Sequence, residues 1–236
     1  MCGRYTDTRR DKALLVRMGV SASEQLAFTP RYNIAPTQNA WTVARREDGA
    51  HELRQARWGL IPSRADDKKI GNSLINARSE SIATKSLFRD AYRKRRCLVL
   101  ADGFYEWQKT SGGKQPIYIR MREGRGFAFG GLWERWRDGE RLVESFCIIT
   151  VEPNELCATI HDRMPLILRG EDFAKWLDPS IGPAGLSALL KPYAAAEMEC
   201  FPVSKLVNTP ANESAACVER VETARPRPAS PQLELF

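Results

Sequence analysis

Cys2 stands directly after the initiator methionine, so removal of Met1 would leave an α-amine and a thiol on adjacent carbons. Such a 1,2-aminothiol traps aldehydes. The amine condenses to an imine, and the thiol then closes on the imine carbon to give a five-membered thiazolidine. Ordinary pKa values of about 7.7 to 8.0 for the amine and about 8.5 for the thiol leave part of each nucleophilic near neutrality. Position alone is weak support, because chain ends are also where fraying is commonest. Three further stretches carry reactive groups. Asn76-Ala77-Arg78-Ser79-Glu80 puts Asn76 and Arg78 on one side of an extended chain. Asp102-Gly103-Phe104-Tyr105-Glu106-Trp107 sets Glu106 between two aromatic rings, where a carboxyl's pKa rises and suits it to proton transfer. The competing reading of Glu106 is an ordinary surface strand glutamate. His161, beside Asp162 and Arg163, is one of only 2 histidines and can act as acid or base, although a lone histidine is more often structural.

The elements that must position these groups are mostly strands. Short β-type runs cover 41–44, 53–58, 97–101, 104–107, 117–121, 127–129 and 146–151, punctuated by Gly, Pro and Asp. Helical patterns cover 11–18, 86–96, 154–160, 172–177 and 186–198. Strands and helices mix without βαβ alternation, so the expected class is α+β: a β-rich, barrel-like, mostly antiparallel sheet flanked by helices. One domain over 1–222 is expected. From Thr223 the chain turns proline-rich, which predicts an extended tail over 223–236.

Composition narrows the function classes. The 236 residues hold 36 Lys plus Arg against 29 Asp plus Glu, a net charge of +7, and 43% hydrophobic residues. That excludes wholesale disorder, and the longest apolar runs fall far short of the roughly 20 residues of a membrane helix. The first residues have no secretory pattern, so a reducing cytoplasm is expected. The 6 cysteines include no Cys-x-x-Cys pair, which with 2 histidines argues against a structural zinc site. No metal or cofactor is expected. The run Arg93-Lys94-Arg95-Arg96 reads as a solvated helix end.

Seven blocks, in order, resemble the SRAP family, the SOS response-associated peptidases or abasic-site processing proteins. They are Met1-Cys2-Gly3-Arg4-Tyr5, Arg31-Tyr32-Asn33-Ile34-Ala35-Pro36-Thr37, Trp58-Gly59-Leu60-Ile61-Pro62, Asn76-Ala77-Arg78-Ser79-Glu80, Asp102-Gly103-Phe104-Tyr105-Glu106-Trp107, Ile160-His161-Asp162-Arg163-Met164-Pro165 and Pro202-Val203-Ser204. The resemblance implies a protein that senses abasic sites in single-stranded DNA and crosslinks to them through Cys2. It implies that Asn76 holds the sugar remnant, that Glu106 opens the cyclic deoxyribose and shuttles protons, and that His161 is a second acid or base. Arg4, Arg78 and Arg163 look like phosphate-binding arginines, and Trp58 is an aromatic that could offer a face to a base. One departure stands out: where the family tends to carry a tryptophan after Ser63, this chain has Arg64. Arg64 has no aromatic ring with which to wedge or stack there.

The last residues suggest a protein partner. Gln232-Leu233-Glu234-Leu235-Phe236 resembles the short peptides with which bacterial repair proteins dock into the sliding clamp, with Gln232, Leu233, Leu235 and Phe236 as the contacts. Two other readings stay open: a cysteine peptidase with Cys2 as nucleophile and His161 as base, oriented by Asn76, acting on peptide bonds or only on its own N-terminus, and a single-strand binding module with no covalent step. A monomer is expected, located in the cytoplasm at damaged replication forks.

Overall fold

The computed structural model describes residues 2–8, 11–21 and 28–222. The chain runs β1 (Tyr5–Asp7), α1 (Lys12–Arg17), β2 (Arg31–Ile34), β3 (Asn39–Arg45), β4 (His51–Trp58), β5 (Asn76–Arg78), α2 (Ser86–Lys94), β6 (Arg96–Ala101) and β7 (Gly103–Thr110). It continues through β8 (Gly113–Met121), β9 (Phe127–Asp138), β10 (Arg141–Val151), α3 (Glu155–Ala158), β11 (Met164–Pro165), β12 (Ile167–Leu168), α4 (Phe173–Leu177), α5 (Pro183–Leu186) and β13 (Met198–Pro202).

Two sheets form. The smaller has the order β13-β8-β7-β1-β2. The larger runs β11-β10-β4-β3-β6-β9-β12, and because β10 also pairs with β9 its middle closes into a five-stranded barrel. Among the described residues the parallel contacts are β4 with β10 and β5 with β10; the other pairings are antiparallel. The expected α+β class and barrel-like sheet are therefore observed. Alternation explains the closure. Phe146 on β10, Trp58 on β4 and Phe129 on β9 are fully buried and mutually linked through Tyr5 of the small sheet, which packs edge-on to Trp58 at 5.1 Å and to Phe129 at 5.7 Å. Tyr5 thereby plugs the barrel with the strand that follows Cys2.

Glycine permits two close approaches that shape this end. Gly59 has φ +117°, a region that a side chain rarely adopts, and a Cβ there would lie 2.4 Å from the Gly71 carbonyl oxygen. A Cβ on Gly103 would lie 2.1 Å from the Tyr118 hydroxyl. That hydroxyl joins Thr6 (2.8 Å) in a buried network in which Asp102 accepts from the Thr6 hydroxyl (2.5 Å) and the Thr8 amide (2.9 Å). Asp102 thus pins β1 against β7, fixing the strand that presents Cys2.

Most helices fall where expected, shortened at their ends. Asp11 caps α1 by accepting from the Leu14 amide at 3.1 Å, and Asn154 caps α3 through the Cys157 amide at 2.9 Å. The expected helix over 186–198 is not formed. Short 3-10 turns at Ser187–Leu189 and Ala195–Glu197 stand there instead, separated by Pro192, which has no amide to donate to a continuing helix. Strands β9 and β10 are longer than predicted because polar residues alternate with apolar ones at their hairpin end.

The basic run closing α2 needs a second correction. Arg96 is buried, and its guanidinium donates to the carbonyls of Tyr92 (2.6 Å), Arg93 (2.8 Å), Trp176 (2.6 Å), Asp178 (2.5 Å) and Ile181 (3.3 Å). All but that of Ile181 are carbonyls at the C-terminal ends of α2 and α4, so one cation caps both helices.

Candidate functional site

Cys2 is completely buried, at the entrance to β1. Its thiol points to the Arg4 carbonyl oxygen at 3.8 Å, and burial pushes the thiol pKa well above its ordinary value, with the charge of Glu106 adding to the rise. Opposite it, β5 lies beside the barrel on β10 and presents Asn76, whose register partner is Ile148. The Asn76 side-chain amide donates from Nδ2 to the Cys2 carbonyl oxygen at 2.8 Å. Its Oδ1 is buried and has no hydrogen-bond partner among the described residues.

Glu106 enters from β7, the strand next to β1. The residue is 4% exposed, and burial raises its pKa above the usual carboxylate range, opposed by the charge of His161. A proton on Glu106 is thus held at pH values where a surface glutamate has lost it. The surface-glutamate reading is excluded. His161 follows α3, half-buried; its Nδ1 accepts from the Arg163 amide at 3.0 Å and also lies 2.8 Å from an Asp162 carboxylate oxygen. One nitrogen cannot do both in one protonation state. The amide bond needs Nδ1 without a proton, and the carboxylate contact needs Nδ1 to carry one. Cys2, Asn76, Glu106 and His161, more than 150 residues apart in sequence at the extremes, therefore meet at one place.

The arginines are mostly committed to the protein itself. Arg4 donates through Nη1 to Asn33 Oδ1 and to the Val207 carbonyl, both at 2.8 Å, with its guanidinium 5.9 Å from the Trp107 ring centre. Arg163 grips both carboxylate oxygens of Glu80 and donates to the Thr150 carbonyl at 2.6 Å. Hydrogen bonding to Arg163 holds the Glu80 carboxyl below its usual range. Arg78, on β5 two residues from Asn76, is exposed. Trp58 requires correction: it has no exposed surface, stacks on Phe146 at 6.4 Å and 5°, and donates to the Ile75 carbonyl at 2.9 Å. It offers no face to a base. Its bond does fix the residue before Asn76. Phe104 and Tyr105 are buried as well, while Trp107 is half-buried and Arg64 is exposed. Met1, the proline-rich stretch and Gln232, Leu233, Leu235 and Phe236 lie outside the described residues.

The supporting shell contains residues that sequence reasoning gave no role. Asn33 donates to the carbonyls of Val207 (3.3 Å), Thr209 (3.0 Å) and Asn212 (2.8 Å) while accepting from Arg4. Glu213 accepts from the amides of Tyr32 and Asn33, and from Arg31 at 2.9 Å. The isolated polar Asn33 ahead of Ile34-Ala35 was the available signal for the first. Glu213, in a polar stretch, carried none.

Comparison with known proteins agrees with this geometry. The family model described as SOS response associated peptidase (SRAP) matches residues 1–210. The chain is 41% identical over 224 residues to the abasic site processing protein YoqW of Bacillus subtilis, covering 93% of this chain and 99% of that one. It is 32% identical to the abasic site processing protein HMCES of Gallus gallus, covering 85% of this chain and 69% of that one. YedK of Escherichia coli, also called an abasic site processing protein, is 27% identical over 94% of this chain and all of its own. Among solved structures, a protein from Bacteroides thetaiotaomicron superposes with a TM-score of 0.81 at 26% identity, covering 94% of this chain and all of that one.

Proposed function

The chain belongs to the SOS response associated peptidase (SRAP) family, and from that membership we propose that it senses abasic sites in single-stranded DNA and captures them covalently through Cys2. The observation carrying this reading is the convergence of Cys2, Asn76 and Glu106, with the cysteine backbone held by an asparagine whose remaining oxygen is unpartnered.

The chemistry follows from the groups present. An abasic deoxyribose is mostly a closed hemiacetal. Opening it takes a proton from the anomeric hydroxyl and gives one to the ring oxygen, a transfer that a protonated, buried Glu106 can relay. With Met1 removed, by ordinary processing or autoproteolysis, the α-amine adds to the exposed aldehyde carbon and water leaves. The Cys2 sulfur then bonds to the imine carbon while its proton passes to the nitrogen. Net, one water is lost and a thiazolidine joins protein to DNA. The Asn76 Oδ1 is an acceptor for a sugar hydroxyl, and holding the aldehyde beside the amine makes the encounter local. His161 is the second acid or base.

The peptidase reading has less support. A hydrolytic cysteine needs a base on its thiol, whereas the Cys2 thiol points to the Arg4 carbonyl oxygen at 3.8 Å.

The deciding experiment incubates the full chain with single-stranded DNA carrying one abasic site, followed by a denaturing gel. A heat-stable retarded band that is absent with Cys2→Ala is expected; cleavage of a peptide panel without such a band would overturn the proposal. Mass spectrometry of the active protein should find Cys2 as its first residue. The segment Gln232-Leu233-Glu234-Leu235-Phe236 is proposed to dock the protein on the sliding clamp at damaged forks. Changing Leu235 and Phe236 to Ala should abolish binding of the peptide to purified clamp, and unchanged binding sinks that idea.

A further inference from the structure

The hairpin that delivers Glu106 continues past it as Trp107-Gln108-Lys109-Thr110, turns, and returns as Gly113-Lys114-Gln115-Pro116. Its register sets Lys109 directly opposite Lys114. Side chains so placed leave the same face with Cβ atoms about 4.5–5.5 Å apart, and like charges there oppose strand pairing. Both lysines are exposed, and residues 107–117 contain no acidic side chain. Among the described residues neither lysine has an ion-pair or hydrogen-bond partner. The fold therefore keeps two unneutralised ammonium groups side by side, about 10 Å along the strand from Glu106 at 3.3 Å per residue and on the opposite face of β7 from it.

The same face carries more. Trp107, half-buried, is two residues before Lys109 and on its side of the strand. Trp107 donates from Nε1 to Asn208 Oδ1 at 2.8 Å, which fastens the 3-10 turn Lys205–Asn208 against the hairpin. Lys205 on that turn is exposed and likewise has no partner among the described residues. Three free ammonium groups beside an accessible indole match a sugar-phosphate backbone with unstacked bases.

We propose that Lys109 and Lys114, with Lys205 as a third point, form a phosphate clamp for the single strand flanking the lesion. The clamp rests on the DNA reading of the Cys2 site and adds residues to it that lie outside the reacting centre. A bound phosphate offsets the lysine repulsion, which gives the opposed pair a use that an unliganded hairpin lacks.

The test uses the full chain and the double variant Lys109→Gln, Lys114→Gln. Affinity for an unmodified single strand is measured across salt concentrations, alongside crosslinking to the abasic strand at saturating DNA. Each single-strand phosphate contact contributes about 0.7 to the slope of log K against log salt, so the double variant should flatten the slope by about 1.4, and adding Lys205→Gln by about 0.7 more. Crosslinking at saturation should be unchanged, and the melting temperature equal or higher because the repulsion is gone. A slope identical to the parent's overturns the clamp alone. Loss of crosslinking in the parent with a lysine-dependent slope retained overturns the Cys2 reading and leaves the clamp standing. A parent that binds no single strand overturns both.

Discussion

Asn76 holds the backbone of Cys2, donating from Nδ2 to its carbonyl oxygen at 2.8 Å, and the other half of the same amide is buried without a partner among the described residues. The two ends of one side chain thus address the nucleophile and the space where its target must sit. A net hydrogen bond of about 1 kcal/mol corresponds to several-fold in rate, and a second bond to the sugar adds to it. Asn76→Ala should slow crosslinking at saturating DNA by about ten- to a hundredfold. Asn76→Asp should be slower still, because it puts a carboxylate against a carbonyl. A rate within twofold of the parent for both variants would remove Asn76 from the mechanism.

Glu106 links catalysis to stability. Burial raises its pKa in the folded chain, so the folded state holds this proton more tightly than the unfolded state. The cost is absent below the ordinary carboxylate pKa of about 4.3, grows as pH rises toward the folded value and is constant above it. Glu106→Gln removes an ionisable group that is only 4% exposed. Its melting temperature should equal the parent's near about pH 4 and exceed it near neutrality, while crosslinking falls by about 10²- to 10⁴-fold. A melting temperature below the parent's at neutral pH would refute the assignment.

Trp58 is a structural residue in a stretch that reads as a DNA contact. Its indole is enclosed between Tyr5 and Phe146 and bonded to the Ile75 carbonyl. Ile75 keeps a second donor, the Ile148 amide at 3.0 Å, so Trp58→Phe leaves no orphaned acceptor. The expected loss is about 1–3 kcal/mol of stability, from a smaller ring and one lost bond. The salt slope for single-strand binding should match the parent's. A flattened slope in Trp58→Phe would restore the DNA role.

The contrast between these residues shows what the chain declared in advance. Cys2, Asn76, Glu106 and His161 could be picked out because unusual polar groups stand in short dense blocks, and the fold brings those blocks together. Strands β3, β4 and β6 to β10 coincide with the predicted β-type runs, whereas β1, β2, β11, β12 and β13, mostly short, were not among them. Whether Trp58 faced inward, whether Arg4 and Arg163 were free for phosphate, and whether the helix over 186–198 survived Pro192 depended on contacts from distant segments: Phe146, Asn33, Glu80 and the packing of 3-10 turns. The same holds for Lys109 and Lys114, whose opposition exists only once β7 and β8 pair.

Arg96 is the sharpest instance of a long-range role hidden in a plain composition signal. It lies in a run of four basic residues, yet it alone turns inward to bond five carbonyl oxygens, and its guanidinium lies 5.8 Å from the Trp176 ring centre. Burial lowers its pKa, but the carbonyl cage and an always-protonated guanidinium keep the charge in place. Lysine cannot reproduce a planar fork, and methionine would leave the carbonyls of both helix ends unpaired. Arg96→Lys should cost about 1–3 kcal/mol by denaturant unfolding and Arg96→Met more than that, whereas Arg93→Gln and Lys94→Gln on the exposed side should fall within about 0.5 kcal/mol of the parent. Because Arg96 is placed outside the reacting centre, crosslinking by folded Arg96→Lys at low temperature should match the parent. Equal stability of all four variants would show that the run is a solvated helix end after all.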